Sequence, residues 1–453
     1  DRLFLTPLIE ACNYSEARSL SNVTYFKTFQ INANVFSGYI TVNKTTNSSL
    51  FFLFMEAEDN PKSAPLMLWT PGGPGLSALF SLFLQNGPVK FEYPLNFSRR
   101  ELTLQKNMSV IYLDVPVGAG FSFTMNESGY ARDLQDVTRD IKLFLKQFLE
   151  LFNEYKGRDF YTGGDSYAAR YSVALAKEML SCENDCLDLT FEGVIGGVGF
   201  LAPIADLADS SDFLLQTSML DREGYAIFKQ QFVTMRYLIE THNYTNYMLA
   251  VGLLFKTIFN SEPKTFFQNL TLYNSQASPL YTERPQSMIN CVGFVDSNYF
   301  KSAIHAGENS SLQYADPNLY YYFALDWVVD ITKIVEYVLN NTRVLFYSGQ
   351  LDTLFPATNL QTYFKTLNWT HASKYVNASR FLWKPHEKYY GAAAYIQSAV
   401  NFTSAVLLGM GHYAGFDKPD EVYYLITEFI NRKLSFCLDK CDDFYSPYNI
   451  RRE

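Results

Sequence analysis

No apolar run in this chain reaches the roughly 20 residues a helix needs to cross a bilayer, so no membrane span is expected. Basic stretches interleaved with aromatics are missing as well, and the net charge is −9. A chain of that sign offers no electrostatic footprint for a polyanion, which excludes nucleic acid as a partner. Histidine is scarce, with five in 453 residues. Cys182-x3-Cys186 and Cys437-x3-Cys441 are spaced like zinc half-sites, but no histidine stands at ligand spacing from either, so no metal or other cofactor is expected. Internal repeats and low-complexity segments are absent. The start, Asp1-Arg2-Leu3-Phe4, lacks the basic and apolar regions of a signal peptide and reads as a trimmed mature end.

What the chain does contain is a large apolar complement. Hydrophobic residues make up 48% and aromatics 17% of it, enough to offset the entropy of ordering and to exclude disorder. The length suits one large domain with an insertion, or two domains. Fourteen Asn-x-Ser/Thr sequons occur, at Asn13, Asn22, Asn43, Asn47, Asn96, Asn107, Asn126, Asn243, Asn269, Asn309, Asn340, Asn368, Asn377 and Asn401. Chance would supply roughly five, and the excess points to N-linked glycans. The six cysteines, Cys12, Cys182, Cys186, Cys291, Cys437 and Cys441, are an even number that suits disulfides in an oxidising compartment, though spacing does not choose the pairs. A secretory-pathway protein is expected, either secreted or held in a lysosomal or vacuolar lumen.

Short apolar runs at 36–42, 50–57, 65–69, 109–115 and 159–164 read as strands. Leu134, Val137, Ile141, Phe144, Leu145 and Phe148 recur at helical spacing and predict a helix over 131–152. Alternation of this kind implies a mostly parallel sheet with helices on both faces. From 203 to 330 the strand signals stop and the residues turn Tyr-, Phe- and Asn-rich and helical. Strands then resume at 343–348 and 404–408. The expected organisation is an α/β core in two parts, 1–202 and 331–453, with 203–330 inserted as a helical lid.

Gly164-Asp165-Ser166-Tyr167-Ala168 lies between a predicted strand and the helical run 168–180. A serine at such a turn is strained, projects from the sheet, and has a helix N-terminus behind it to stabilise negative charge. Trp69-Thr70-Pro71-Gly72-Gly73-Pro74-Gly75 follows a buried strand, and its glycines let backbone N–H groups approach as an oxyanion hole requires. Downstream, Ser348-Gly349-Gln350-Leu351-Asp352 puts an acid after one strand, and Gly409-Met410-Gly411-His412 a histidine after the next. A neutral serine needs an adjacent base, and that base an orienting acid. Ser166, Asp352 and His412 stand in the chain order of the α/β-hydrolases.

With Tyr112-Leu113-Asp114-Val115-Pro116-Val117-Gly118-Ala119-Gly120-Phe121-Ser122 and Asp417-Lys418-Pro419 added, these segments resemble the serine carboxypeptidase family, and within it the vitellogenic-carboxypeptidase-like branch. The likeness runs in order through nearly the whole chain. It implies an α/β-hydrolase fold, Ser166 as nucleophile, His412 as general base, Asp352 as its orienting acid, and the N–H groups of Gly73 and Tyr167 as the oxyanion hole. The partner it implies is a peptide or small acyl-donor substrate, and a second copy of the chain, as a homodimer, is a further candidate.

The same resemblance locates a departure. Family peptidases recognise a terminal carboxylate with an asparagine and two glutamates, where this chain has Pro71, Gln85 and Asp165, beside Gly72. These four are the expected substrate-binding positions. Two carboxyls in contact can share a proton and donate it to a substrate carboxylate. Gln85 instead offers an amide that does not titrate, and Pro71 offers no donor. An aspartate beside a neutral amide has only burial to raise its pKa. The expected rate therefore rises through about pH 6–7, with the base, and stays high. Leu76 replaces a family cysteine, and Tyr413-Ala414-Gly415 a Met-Val-Pro. Gly-Asp-Ser-Tyr also resembles the family's acyltransferases. The leading reading is a carboxypeptidase with altered carboxylate recognition. An acyltransferase or esterase is the alternative, and a non-catalytic binding protein the third.

Overall fold

The computed structural model describes residues 1–259, 263–314 and 316–434. Ten strands form one sheet: β1 (Val35–Asn43), β2 (Ser48–Met55), β3 (Leu66–Thr70), β4 (Ser109–Leu113), β5 (Asp159–Asp165), β6 (Thr190–Gly197), β7 (Arg343–Gly349), β8 (Phe381–Trp383), β9 (Ala394–Ala399) and β10 (Phe402–Leu407). Their order is β1-β2-β4-β3-β5-β6-β7-β10-β9-β8. The six central strands, β4 through β10 in that order, run parallel, and antiparallel strands flank them on both sides.

The sequence of β3 shows how the layers arise. Leu66 and Leu68 enter one buried cluster, while Met67 and Trp69 enter the other, because alternate residues of a strand face opposite sides. Helix α1 (Leu134–Leu151) covers the first face with Val137, Ile141, Phe144, Leu145 and Phe148. Asp133 caps α1 by accepting from the N–H groups of Gln135 and Asp136, both at 2.9 Å, which starts the helix three residues later than periodicity predicts. Helix α2 (Ala168–Leu180) lies beside α1. Helix α3 (Pro419–Ile430) covers the opposite face with Val422, Leu425, Ile426 and Phe429. Each such side chain, fully buried, contributes about 1.5–3 kcal/mol. The architecture is the α/β-hydrolase fold.

The described part of 203–330 is helical, from Ile204–Leu207 to Ala324–Val328, and its one extended contact is an isolated bridge between Gln313 and Gly120. Strand β6 is not legible beforehand. Its glycines at 193, 196 and 197 weaken any strand signal, yet a Cβ on Gly196 would come within 2.9 Å of Phe346 on β7. Close packing, which glycine permits, wins over propensity there. The disulfide reading is borne out by one pair. Cys182 and Cys186 are bonded, but Cys12 and Cys291 are free; Cys291 lies buried inside the helix Gln286–Val295, and Cys437 and Cys441 fall outside the described residues.

Candidate active site

The site lies where the central parallel strands end. Ser166 follows β5 at φ +61°, a left-handed conformation that costs a non-glycine residue about 1–2 kcal/mol. Three bonds hold it there: its N–H donates to Gly197 O at 2.8 Å, and its carbonyl accepts from Phe200 at 3.0 Å and Ala169 at 3.2 Å. The crossing of strand and helix is tight, since a Cβ on Gly164 would meet Ala168 Cβ and Thr70 O at 2.5 Å. Alanine at 168 is thus accommodated because residue 164 is glycine.

β7 and β10 are neighbours, with Gly349 opposite Leu407, so the loops that follow them deliver Asp352 and His412 side by side. His412 Nε2 lies 3.0 Å from Ser166 Oγ, and Nδ1 lies 2.8 Å from Asp352 Oδ2. Asp352 is fully buried. Its Oδ1 accepts from the N–H groups of Leu354 and Phe355, both at 2.9 Å, which leaves Oδ2 to the imidazole. That pairing puts the ring proton on Nδ1 and frees the Nε2 lone pair to accept the serine proton. Phe355 packs edge-on against the imidazole at 5.2 Å.

The histidine loop also rests on the insertion. His412 N–H donates to Ala277 O at 2.8 Å, and Gly411 is pressed so close to Ser278 that a Cβ would fall 2.6 Å from its side chain. Asp417 accepts from Gly411 N–H at 2.8 Å and from the Tyr281 hydroxyl at 2.9 Å, and burial raises its pKa.

Gly72 lies against the elbow: a Cβ there would sit 2.8 Å from Asp165 O and 3.0 Å from Ser166 Cβ. Gly73, the next residue, has φ +118°. Neither the Gly73 nor the Tyr167 N–H donates to another protein group among the described residues. Behind the glycine loop, Asp114 is buried and accepts from Ser77 Oγ at 2.9 Å, Ala78 N–H at 2.7 Å and Phe121 N–H at 2.8 Å.

The remaining expected residues are arranged unequally. Pro71 is buried and carries no donor. Gln85 Nε2 donates to Tyr413 O at 3.4 Å, and its Oε1 is buried without a partner. Asp165 is half-buried and accepts from the Tyr347 hydroxyl at 2.7 Å. Burial pushes its pKa up to about 6, against the pull of Tyr347, His412 and Gln85. Sequence reasoning missed Tyr347, Gly197, Asp326 and the Ser275–Tyr281 stretch. Each reaches the site through a fold contact between segments far apart in the chain; only Tyr347, five residues before Asp352, carried a signal by position.

Residues 26–432 match Peptidase S10, the serine carboxypeptidase family. The probable serine carboxypeptidase CPVL of Homo sapiens is 33% identical over 437 residues, 95% of this chain and 90% of that protein. The venom serine carboxypeptidase of Apis mellifera is 30% identical over 433 residues, 95% of this chain and 91% of that protein. Among solved structures, the prohormone-processing carboxypeptidase Kex1 from Saccharomyces cerevisiae superposes with a TM-score of 0.75, covering 92% of this chain and 96% of that one at 16% identity, a likeness of fold. Sequence match over nearly the full length and a shared architecture lead to one assignment: the chain belongs to the serine carboxypeptidase family and is a hydrolase of that family.

Proposed function

We propose that the protein is a serine carboxypeptidase working through an acyl-enzyme on Ser166. The observation that carries this reading is the unbroken line of hydrogen bonds from Ser166 Oγ through His412 to Asp352. In the forward step Ser166 Oγ attacks the last peptide carbonyl while His412 Nε2 takes the hydroxyl proton. The Gly73 and Tyr167 N–H groups hold the oxyanion. The proton then passes from His412 to the leaving amino group, the C–N bond breaks, and water, activated by the same imidazole, releases the acid. Asp165 is the group suited to a terminal carboxylate, because burial keeps it protonated up to about pH 6 and a protonated carboxyl donates a hydrogen bond.

Acyl transfer to an alcohol is the second reading. It is favoured by the missing donor at Pro71 and by the engagement of Gln85 Nε2 with Tyr413 O. Product analysis separates the two. A blocked dipeptide and an activated ester are each incubated with and without an alcohol acceptor. Release of the C-terminal amino acid identifies the peptidase, and an acceptor ester formed in preference to hydrolysis identifies the transferase.

The helical 203–330 insertion is proposed to cover the site, a placement supported by the bond from His412 to Ala277 and by Leu319 lying against Gly75. A luminal or secreted location with N-linked glycans is supported by the sequons. Asn43 and Asn401 are half-buried and the other twelve asparagines are exposed. Loss of mass on endoglycosidase treatment tests it.

A further inference from the structure

Arg170 sits one helical turn beyond Ser166, on α2, with no exposed side-chain surface. A buried guanidinium requires a charge partner and filled hydrogen bonds. Its partner is Asp326, equally buried, in the last helical turn of the insertion. Arg170 Nε donates to Asp326 Oδ2 at 3.0 Å, and Nη2 donates to the carbonyls of Asp326 and Val329 at 2.9 and 3.0 Å. The guanidinium also lies over the Phe200 ring at 4.3 Å. The third member is Tyr167, whose hydroxyl donates to the same Asp326 Oδ2 at 2.5 Å and whose ring meets Trp327 edge-on at 5.0 Å.

Tyr167 has two ends with different tasks. Its backbone N–H is the donor proposed above for the oxyanion, and its hydroxyl is tied to the insertion. Its carbonyl accepts from Arg170 N–H at 3.0 Å, so both neighbours of Asp326 bear on the same residue, through its side chain and through its carbonyl. Oxyanion donors act by being fixed before charge develops, and a donor free to tilt loses most of its effect.

We propose that Asp326 is a positioning residue: contributed by the insertion, it locks Tyr167 and Arg170 and so holds the Tyr167 N–H in line at the oxyanion site. The insertion is then part of the catalytic apparatus as well as its cover. The inference rests on the acyl-enzyme reading above, and the test separates the two. Asp326→Asn keeps the shape and one acceptor but loses the charge, and Tyr167→Phe removes only the hydroxyl. Turnover of a short-chain p-nitrophenyl ester is measured per active site, with sites counted by fluorophosphonate titration so that misfolded protein drops out.

The expected result is that Asp326→Asn lowers kcat per titrated site by about 10–100-fold with KM within about twofold. Tyr167→Phe should lower it by about 3–10-fold, and the double variant should be no worse than Asp326→Asn, since both act through one contact. A purely structural role would lower the melting temperature and the titratable fraction but leave kcat per site alone; kcat per site within about twofold of the parent in both variants overturns the proposal. If Asp326→Asn does not fold, Tyr167→Phe decides on the same criterion. A parent that hydrolyses the ester but takes no label on Ser166 defeats the acyl-enzyme reading, and this inference with it.

Discussion

Tyr347 and Asp165 join hands across Gly197, the hydroxyl of one donating to Oδ1 of the other at 2.7 Å. Gly197 is paired with Asp165 on one side and with Tyr347 on the other, so the three positions line up where β5, β6 and β7 end. A Cβ at 197 would overlap both side chains. Glycine there is what allows an acid next to the nucleophile to be held from the sheet.

The first consequence is a pH dependence. Asp165 has its pKa raised by burial to about 6, so it carries a proton below that value and a charge above it. A proton lets it donate to a substrate carboxylate, and a charge repels that carboxylate. KM for a blocked dipeptide should therefore climb several-fold between about pH 6 and 7.5, while KM for a matched ester lacking the carboxylate stays flat. The competing outcome is the sequence expectation, a rate that stays high above neutrality. Parallel KM profiles for the two substrates would remove Asp165 from recognition.

Gly197→Ala should separate Asp165 from Tyr347. Overpacking of this kind costs about 1–3 kcal/mol in stability, and displacing a positioned group by about 1 Å can cost on the order of 100-fold in rate. The expected pattern is a blocked-dipeptide kcat/KM reduced at least about tenfold, with fluorophosphonate labelling of Ser166 retained. Unchanged dipeptide kinetics in a folded variant would show that the pair is dispensable.

Ser166→Ala should abolish both labelling and turnover. The strained elbow at φ +61° and the 3.0 Å contact to His412 Nε2 make this the one serine poised for attack among the described residues. A label that persists in the alanine variant, mapped by peptide mass, would move the nucleophile elsewhere.

Asp114→Asn should destabilise the glycine loop. The carboxylate accepts from three donors, two on Oδ1 and one on Oδ2, and an amide must turn an NH2 toward at least one of them. A buried mismatch of that sort costs about 1–3 kcal/mol, readable as a lower melting temperature at pH 8. A melting temperature equal to the parent's would show that the loop is held by other contacts.

The three groups proposed to react were legible as candidates before the structure because each lies just beyond a strand with a recognisable pattern: Ser166 after β5, Asp352 after β7, His412 after β10. The groups that hold them were not. Strand β6 hides behind three glycines, and the value of Gly197 emerges only when Asp165 and Tyr347 are seen on either side of it. Asp326 and Ala277 sit in a region whose composition announces helices and nothing more. Their roles depend on which distant backbone they touch, and no local period encodes that. The raised pKa of Asp165 was likewise inaccessible, since burial is a property of the fold rather than of neighbours in sequence.

The bond from His412 to Ala277 also orders events in time. As the chain leaves the ribosome, the reactive serine emerges early, in a strand and helix able to pair at once. Its proposed base, His412, arrives long afterwards, and the carbonyl its N–H bonds belongs to the segment made in between. Ser166 therefore stays without its histidine partner until most of the chain has been made.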